Sequence, residues 1–182
     1  MIIYAVYGQT SQRYALGDLD YALYGVFESR KDAENFMITF ARKSFDYYDK
    51  KTTYSPCRRL CEYNHAGELL QIHGDNFDNA QTDMRIREIA YDSNSRSAWL
   101  IMGTVDAEQF PEHEPFSSAY DNPVTASTAM LREAFFSIDD LGIPNNDIVY
   151  SNSRNYPDDF VSKIYDGENY KVELRLVKMP IR

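Results

Sequence analysis

Cys57, Cys61, His65 and His73 come closest, by type and spacing, to a set that could do chemistry. Thiolate and imidazole are zinc ligands, and the first three step by four, so one continuous helix would carry them on one face. The local sequence argues against that helix. Asn64-His65-Ala66-Gly67 reads as a turn, with Arg58 to Tyr63 and Leu69 to Ile72 as the strands of a hairpin around it. The glycine-bearing knuckle turn of a structural zinc site is missing at Cys57. A disulfide between the two cysteines would close a very short loop and stabilise little, so two reduced thiols are expected. No metal and no cofactor is expected.

Other catalytic arrangements fare no better. A nucleophile needs a base held by a third group. Of the three histidines, His65 and His73 fall in the hairpin and His113 lies among acids. The chain has no Gly-x-Ser-x-Gly elbow and neither glycine-rich phosphate loop. Asp75-Asn76-Phe77-Asp78-Asn79 lacks the central glycine and closing glutamate of a calcium loop. The paired acids Asp139-Asp140 and Asp158-Asp159 read as a solvated face rather than an acid/base couple. A binding protein is therefore expected, not an enzyme.

Two charged clusters remain. Arg42, Lys43, Lys50, Lys51, Arg58 and Arg59 interleave with Tyr47, Tyr48 and Tyr54, a mixture that grips phosphates and stacks on bases. The chain's net charge of −9 opposes that use, and cations also suit a helix C-terminus, so direct nucleic-acid binding through these six is the lesser expectation. The opposite cluster is more pronounced. Between Asp106 and Asp159 there are eleven acids and two bases, Arg132 and Arg154, a net of −9; the remaining residues balance at seventeen acids and seventeen bases. Acids spaced over a surface imitate the charge row of a nucleic-acid backbone and attract a protein with a basic groove. Aromatic residues among them would supply the anchors that charge alone does not. The candidate partner-binding residues are Asp106, Glu108, Phe110, Glu112, Glu114, Phe116, Tyr120, Asp139, Asp140, Asp147, Tyr156, Asp158 and Asp159, with Asp121, Glu133 and Tyr150 in the same stretch.

The elements that must carry these residues form a duplicated pattern. Ile2 to Tyr7 and Tyr21 to Phe27 read as strands, followed by a helix that Ser29 caps, with Asp32 at the capping-box position, and that runs to about Tyr47. Its apolar positions Ala33, Phe36, Met37, Phe40, Ala41 and Phe45 make one stripe. Ala98 to Gly103 and Phe116 to Tyr120 read as strands again, and Asn122 caps a helix that Pro123 opens. At a shift of 93 residues, Phe27 falls on Tyr120, Ser29 on Asn122, Ala33 on Ala126, Met37 on Met130, Ala41 on Ala134 and Phe45 on Ile138. Each half closes on a strand, Met84 to Ala90 and Lys171 to Met179. The expected fold is α+β: a tandem repeat of a strand–strand–helix–strand unit, 1–92 and 97–182, joined at about 92–97, each an antiparallel sheet with one packed helix. In this reading the segment from Asp139 to Asp159 is the helix exit and a long loop.

The run Gly25-Val26-Phe27-Glu28-Ser29-Arg30-Lys31-Asp32-Ala33-Glu34 resembles the strand-to-helix junction of small uncharacterised bacterial and phage domains. The whole chain, small, acidic and with fifteen tyrosines against a single tryptophan, resembles the anti-defence inhibitors of phages and mobile elements. Anti-restriction and anti-CRISPR proteins, including Cas9 inhibitors, are such groups. The resemblance implies a non-enzymatic inhibitor that docks on a basic nucleic-acid-handling protein, such as a CRISPR effector nuclease or its guide-RNA complex. The alternative is a generic protein-interaction module or homo-oligomer without mimicry. No apolar run reaches the roughly 18 residues a bilayer needs, and Met1 to Tyr7 lacks the basic start of a signal peptide. The expected compartment is the cytoplasm, that of the host bacterium if the gene is phage-borne.

Overall fold

The computed structural model describes residues 1–9, 22–49, 58–75, 81–105, 114–142, 148–156, 159–166 and 169–182. They form a mixed α+β fold of ten strands and two helices, in two compact units: Ile3–Glu88 with Arg182, and Ile89–Ile181 with Met1–Ile2.

In the first unit, β1 (Ile2–Gln9) and β2 (Ala22–Phe27) pair antiparallel, Tyr4 opposite Phe27, with a bulge between Val6 and Tyr7. After α1 (Arg30–Asp49) come β3 (Arg58–Tyr63), β4 (Leu69–Asp75) and β5 (Gln81–Tyr91), giving the strand order β2-β1-β5-β4-β3. Gly8 sits where β1 meets β5. Its φ of +143° suits glycine, and a Cβ there would come within 1.9 Å of the Asp83 carbonyl oxygen. The expected hairpin is present: the Asn64 side chain accepts from the Ala66 and Glu68 amides, and Gly67 takes a φ of +78°.

Helix α1 starts where its cap predicts, with Ser29 Oγ accepting from the Asp32 amide at 3.4 Å. It buries Ala33, Met37, Ala41 and Phe45 against Val6, Phe27, Leu69, Ile72, Met84 and Ile86. A polar exception lies within this face: Ser44 and Thr82 are buried and share a hydroxyl hydrogen bond of 2.8 Å. The rings of Phe36 and Phe40 pack on Phe27 and Tyr24.

In the second unit, β6 (Ser97–Val105) and β7 (Glu114–Tyr120) precede α2 (Pro123–Asp140), and β8 (Ile148–Tyr156), β9 (Asp159–Asp166) and β10 (Asn169–Pro180) follow it. The strand order is β7-β6-β10-β9-β8. All these neighbours are antiparallel, with β10 and β6 in register from Val172–Val105 to Pro180–Ser97. One pairing departs from the expected antiparallel sheet. Ala90 and Tyr91, the end of β5, lie parallel to Ser118 and Ala119 and give β7 a neighbour on its other side.

Asn122 accepts from the Thr125 amide at 2.9 Å to start α2, and Gly142, at φ +64°, donates to the Asp139 carbonyl beyond its end. The helix buries Ala126, Met130, Ala134 and Ile138 against Trp99, Ile101, Val172, Leu174 and Leu176.

Each unit therefore holds two strands more than strand–strand–helix–strand. In the second unit these are β8 and β9, and the supposed loop from Asp139 to Asp159 contains a nine-residue strand, Ile148–Tyr156, and the first residue of β9. Ser151-Asn152-Ser153 and Asn155 have weak β-propensity and no apolar alternation. The ladder of β8 on β9, from Ile148–Asp166 to Tyr156–Asp159, organises what local preference does not.

Candidate docking surface

The expected partner-binding residues meet different fates. Asp106, Glu108, Phe110, Glu112, Asp147 and Asp158 lie outside the described residues, as do Lys50, Lys51 and Cys57. Tyr156, the last residue of β8, pairs in register with Asp159, the first of β9. Glu114 is half-buried at the start of β7. Phe116 and Tyr120 are also half-buried, packed against the core beneath α2, so their rings serve the fold first. Burial pushes the Tyr120 phenol above its ordinary 10.0; the charge of Glu133 adds to this and that of Arg132 opposes it.

Asp139 and Asp140 are different. They stand exposed in the last turn of α2, which carries no basic residue. Acids there oppose the helix dipole, at a cost of about 0.3–1 kcal/mol each. With Phe136 and Ser137 they line an open concavity of about 470 Å³.

Sequence reasoning missed what lies beside them. Val124 is 74% exposed, Phe135 65% and Phe136 55%, and Leu131 is exposed as well. One helix thus presents four large apolar side chains to solvent while burying four others. Arg132 lies over the Phe136 ring at 5.3 Å from its centroid. A signal for this face was available. Aligned on their caps, α1 carries Lys31, Ile38, Arg42 and Lys43 where α2 carries Val124, Leu131, Phe135 and Phe136. Lys31, Arg42 and Lys43 are exposed. A helix in this setting folds with charges at three of those places, so packing does not demand Val124, Phe135 or Phe136 in α2.

Of the basic cluster, Arg42 and Lys43 project from α1, while Arg58 and Arg59 begin β3, opposite Asp75 and Gly74. The zinc candidates are spread over β3, its turn and β4. Leu60 is opposite His73 and Cys61 opposite Ile72, so Cys61 and His73 belong to opposite faces of the hairpin. Among the described residues no three His, Cys, Asp or Glu side chains gather as a metal site. A second cleft, of about 430 Å³ in the second unit, is lined by Tyr91, Asp92, Tyr120 and Asp121 among others.

Compared with known protein families, characterised proteins and solved structures, the chain matches none. Its function must therefore be argued from its surface. Among the described residues no helix is long and apolar enough to cross a membrane.

Proposed function

We propose that the chain is a non-enzymatic inhibitory binding protein, which docks through the outward face of α2 on a basic nucleic-acid-handling protein such as a CRISPR effector nuclease. The observation that carries this is Phe135 and Phe136, more than half exposed and beside Asp139 and Asp140 on the same helix. Apolar side chains clustered on a surface mark sites of association, and aromatic anchors dominate binding energy. The acids add a long-range pull on basic partners and select against acidic ones. The −9 of residues 106–159 belongs to the same unit as α2. Such an inhibitor acts where its target does, in the bacterial cytoplasm.

The chain also reads as a tandem duplication, with the two copies as its domains. Three features support this. The strand order is the same in both units, counted from each unit's first strand. The helices start 93 residues apart, at Arg30 and Pro123. Their buried residues Ala33, Met37, Ala41 and Phe45 correspond, one for one, to Ala126, Met130, Ala134 and Ile138. On this reading one copy kept a charged outer helix face and the other acquired a docking face.

The test is DNA cleavage by a guide-loaded CRISPR nuclease with the purified chain added. Cleavage should fall to completion near equimolar chain, recover in high salt, and resist the F135A/F136A and D139K/D140K variants. Undiminished cleavage at low salt across a panel of such nucleases, with no detectable complex, sinks the proposal. Binding that survives charge reversal and fails only with F135A/F136A favours the generic interaction module.

A further inference from the structure

We infer that β3 is a self-pairing edge, on which a second copy of the chain lays its own β3 antiparallel. Among the described residues β3 pairs with β4 alone, so it ends the sheet of the first unit. An edge strand offers a row of backbone N–H and C=O groups to another chain. Leu60, Cys61, Glu62 and Tyr63 are all exposed. This edge belongs to the first unit and makes no use of α2.

Symmetry and charge select the occupant. Directly opposed residues of an antiparallel pair share a sheet face, so two identical strands related by a twofold axis pair about a single residue. Strand β3 keeps a regular register on β4 from Arg58 to Glu62 and becomes irregular between Glu62 and Tyr63. Leu60 is the midpoint of that regular run. Arg58 and Glu62 stand two residues to either side of it, with opposite charges. Turned about Leu60, a second copy sets leucine on leucine and each Arg58 opposite the other copy's Glu62. Apolar and opposite-charge cross-strand pairs of this kind stabilise a ladder. Other centres do worse. On Arg58, Arg59 or Glu62 the axis sets like charges opposite one another, and on Cys61 it sets Leu60 against Glu62 and runs into the irregular end. A foreign strand needs the same acid and base at this spacing, whereas a second copy always carries them.

The test is sedimentation of the whole chain with charge and thiol variants. The parent should form a dimer that weakens with salt. R58E and E62R should each be monomeric, since one sets acid against acid and the other base against base. Their equimolar mixture should regain the dimer, the acids of one strand meeting the bases of the other. Two single-thiol chains fix the register. In C57S/C61S/L60C the introduced thiols stand opposite each other, within the Cα separation of about 4.4–6.8 Å that a disulfide bridges. In C57S the remaining Cys61 and its copy are out of step along the strands, about 8 Å apart and too far. The first chain should therefore crosslink on mild oxidation at least about tenfold faster than the second. A parent that stays monomeric at its highest soluble concentration overturns the inference, as does a dimer that E62R leaves intact. Faster crosslinking through Cys61 moves the axis and refutes the pairing about Leu60. A dimer lost in F135A/F136A yet kept in E62R assigns self-association to α2 and refutes it too. If R58E does not fold, E62R and the two thiol variants still decide.

Discussion

Arg30 leaves the first turn of α1 with only 14% of its side chain exposed and meets three carboxylates. Nη1 donates to Glu88 at 2.8 Å, Nη2 donates to the Leu69 carbonyl at 3.3 Å, and Nε lies within 3.6 Å of Glu34 and Glu68. The guanidinium also lies over the Tyr4 ring. Replacing it with methionine would leave acids crowded at one helix start. Because Glu68 and Glu88 are largely solvated, the loss should be about 1–2 kcal/mol rather than that of a buried pair, read as a lower urea midpoint. Tyr120 makes a pH prediction. Its folded pKa is raised, so its contribution is complete below the unfolded value of 10.0 and is lost as pH rises through the folded one. Tyr120→Phe should therefore lessen the alkaline fall in stability above pH 10.0 and leave its neutral-pH slope alone. A steeper alkaline fall in the variant would contradict that. At this scale the caps were plain from sequence, because Ser29 and Asn122 act on amides three residues away. The use of Phe116 and Tyr120 was not, because a ring beside acids looks the same in sequence whether it turns outward or into a core.

Helix α2 carries the proposed docking face, and its two faces obey different rules. The buried face is a four-residue stripe of small and medium side chains that the core beneath requires. The exposed face breaks the usual preferences twice, with uncovered phenylalanines and with aspartates at the negative end of the dipole. This gives D139K/D140K opposite expected effects. The double variant should stabilise the chain by about 0.6–2 kcal/mol through the dipole alone, measured by urea unfolding, while weakening binding to the basic partner. A loss of both together would mean that the aspartates hold the fold. Both helices were legible from periodicity and caps. Strands β8 and β9 were not, because their polar runs take strand geometry from their neighbours. The exposed apolar face was hidden for another reason. A search for one stripe per helix assigns surplus apolar residues to the core by default.

Across the whole molecule, the arithmetic of the acids is plain from the sequence, whereas of the aromatic residues expected as anchors among them Phe116 and Tyr120 are shared with the core and Phe110 lies outside the described residues. Charge is counted residue by residue, whereas an anchor exists only once a fold has chosen which side of an element faces out. Binding that joins the two should weaken with salt, since exposed charges are screened beyond about 10 Å at 0.1 M and about 3 Å at 1 M. The part that survives high salt measures the phenylalanines. The match between the buried stripes of α1 and α2 has one more consequence, which concerns valency. If the inner face carries the fold and the outer face is free, Lys31→Val with Arg42→Phe and Lys43→Phe should leave the first unit folded and give it an exposed apolar face of its own. Mass photometry should then count two partner molecules on one chain where the parent holds one. The first unit would then keep a spare port that three outward positions of one helix can open or shut.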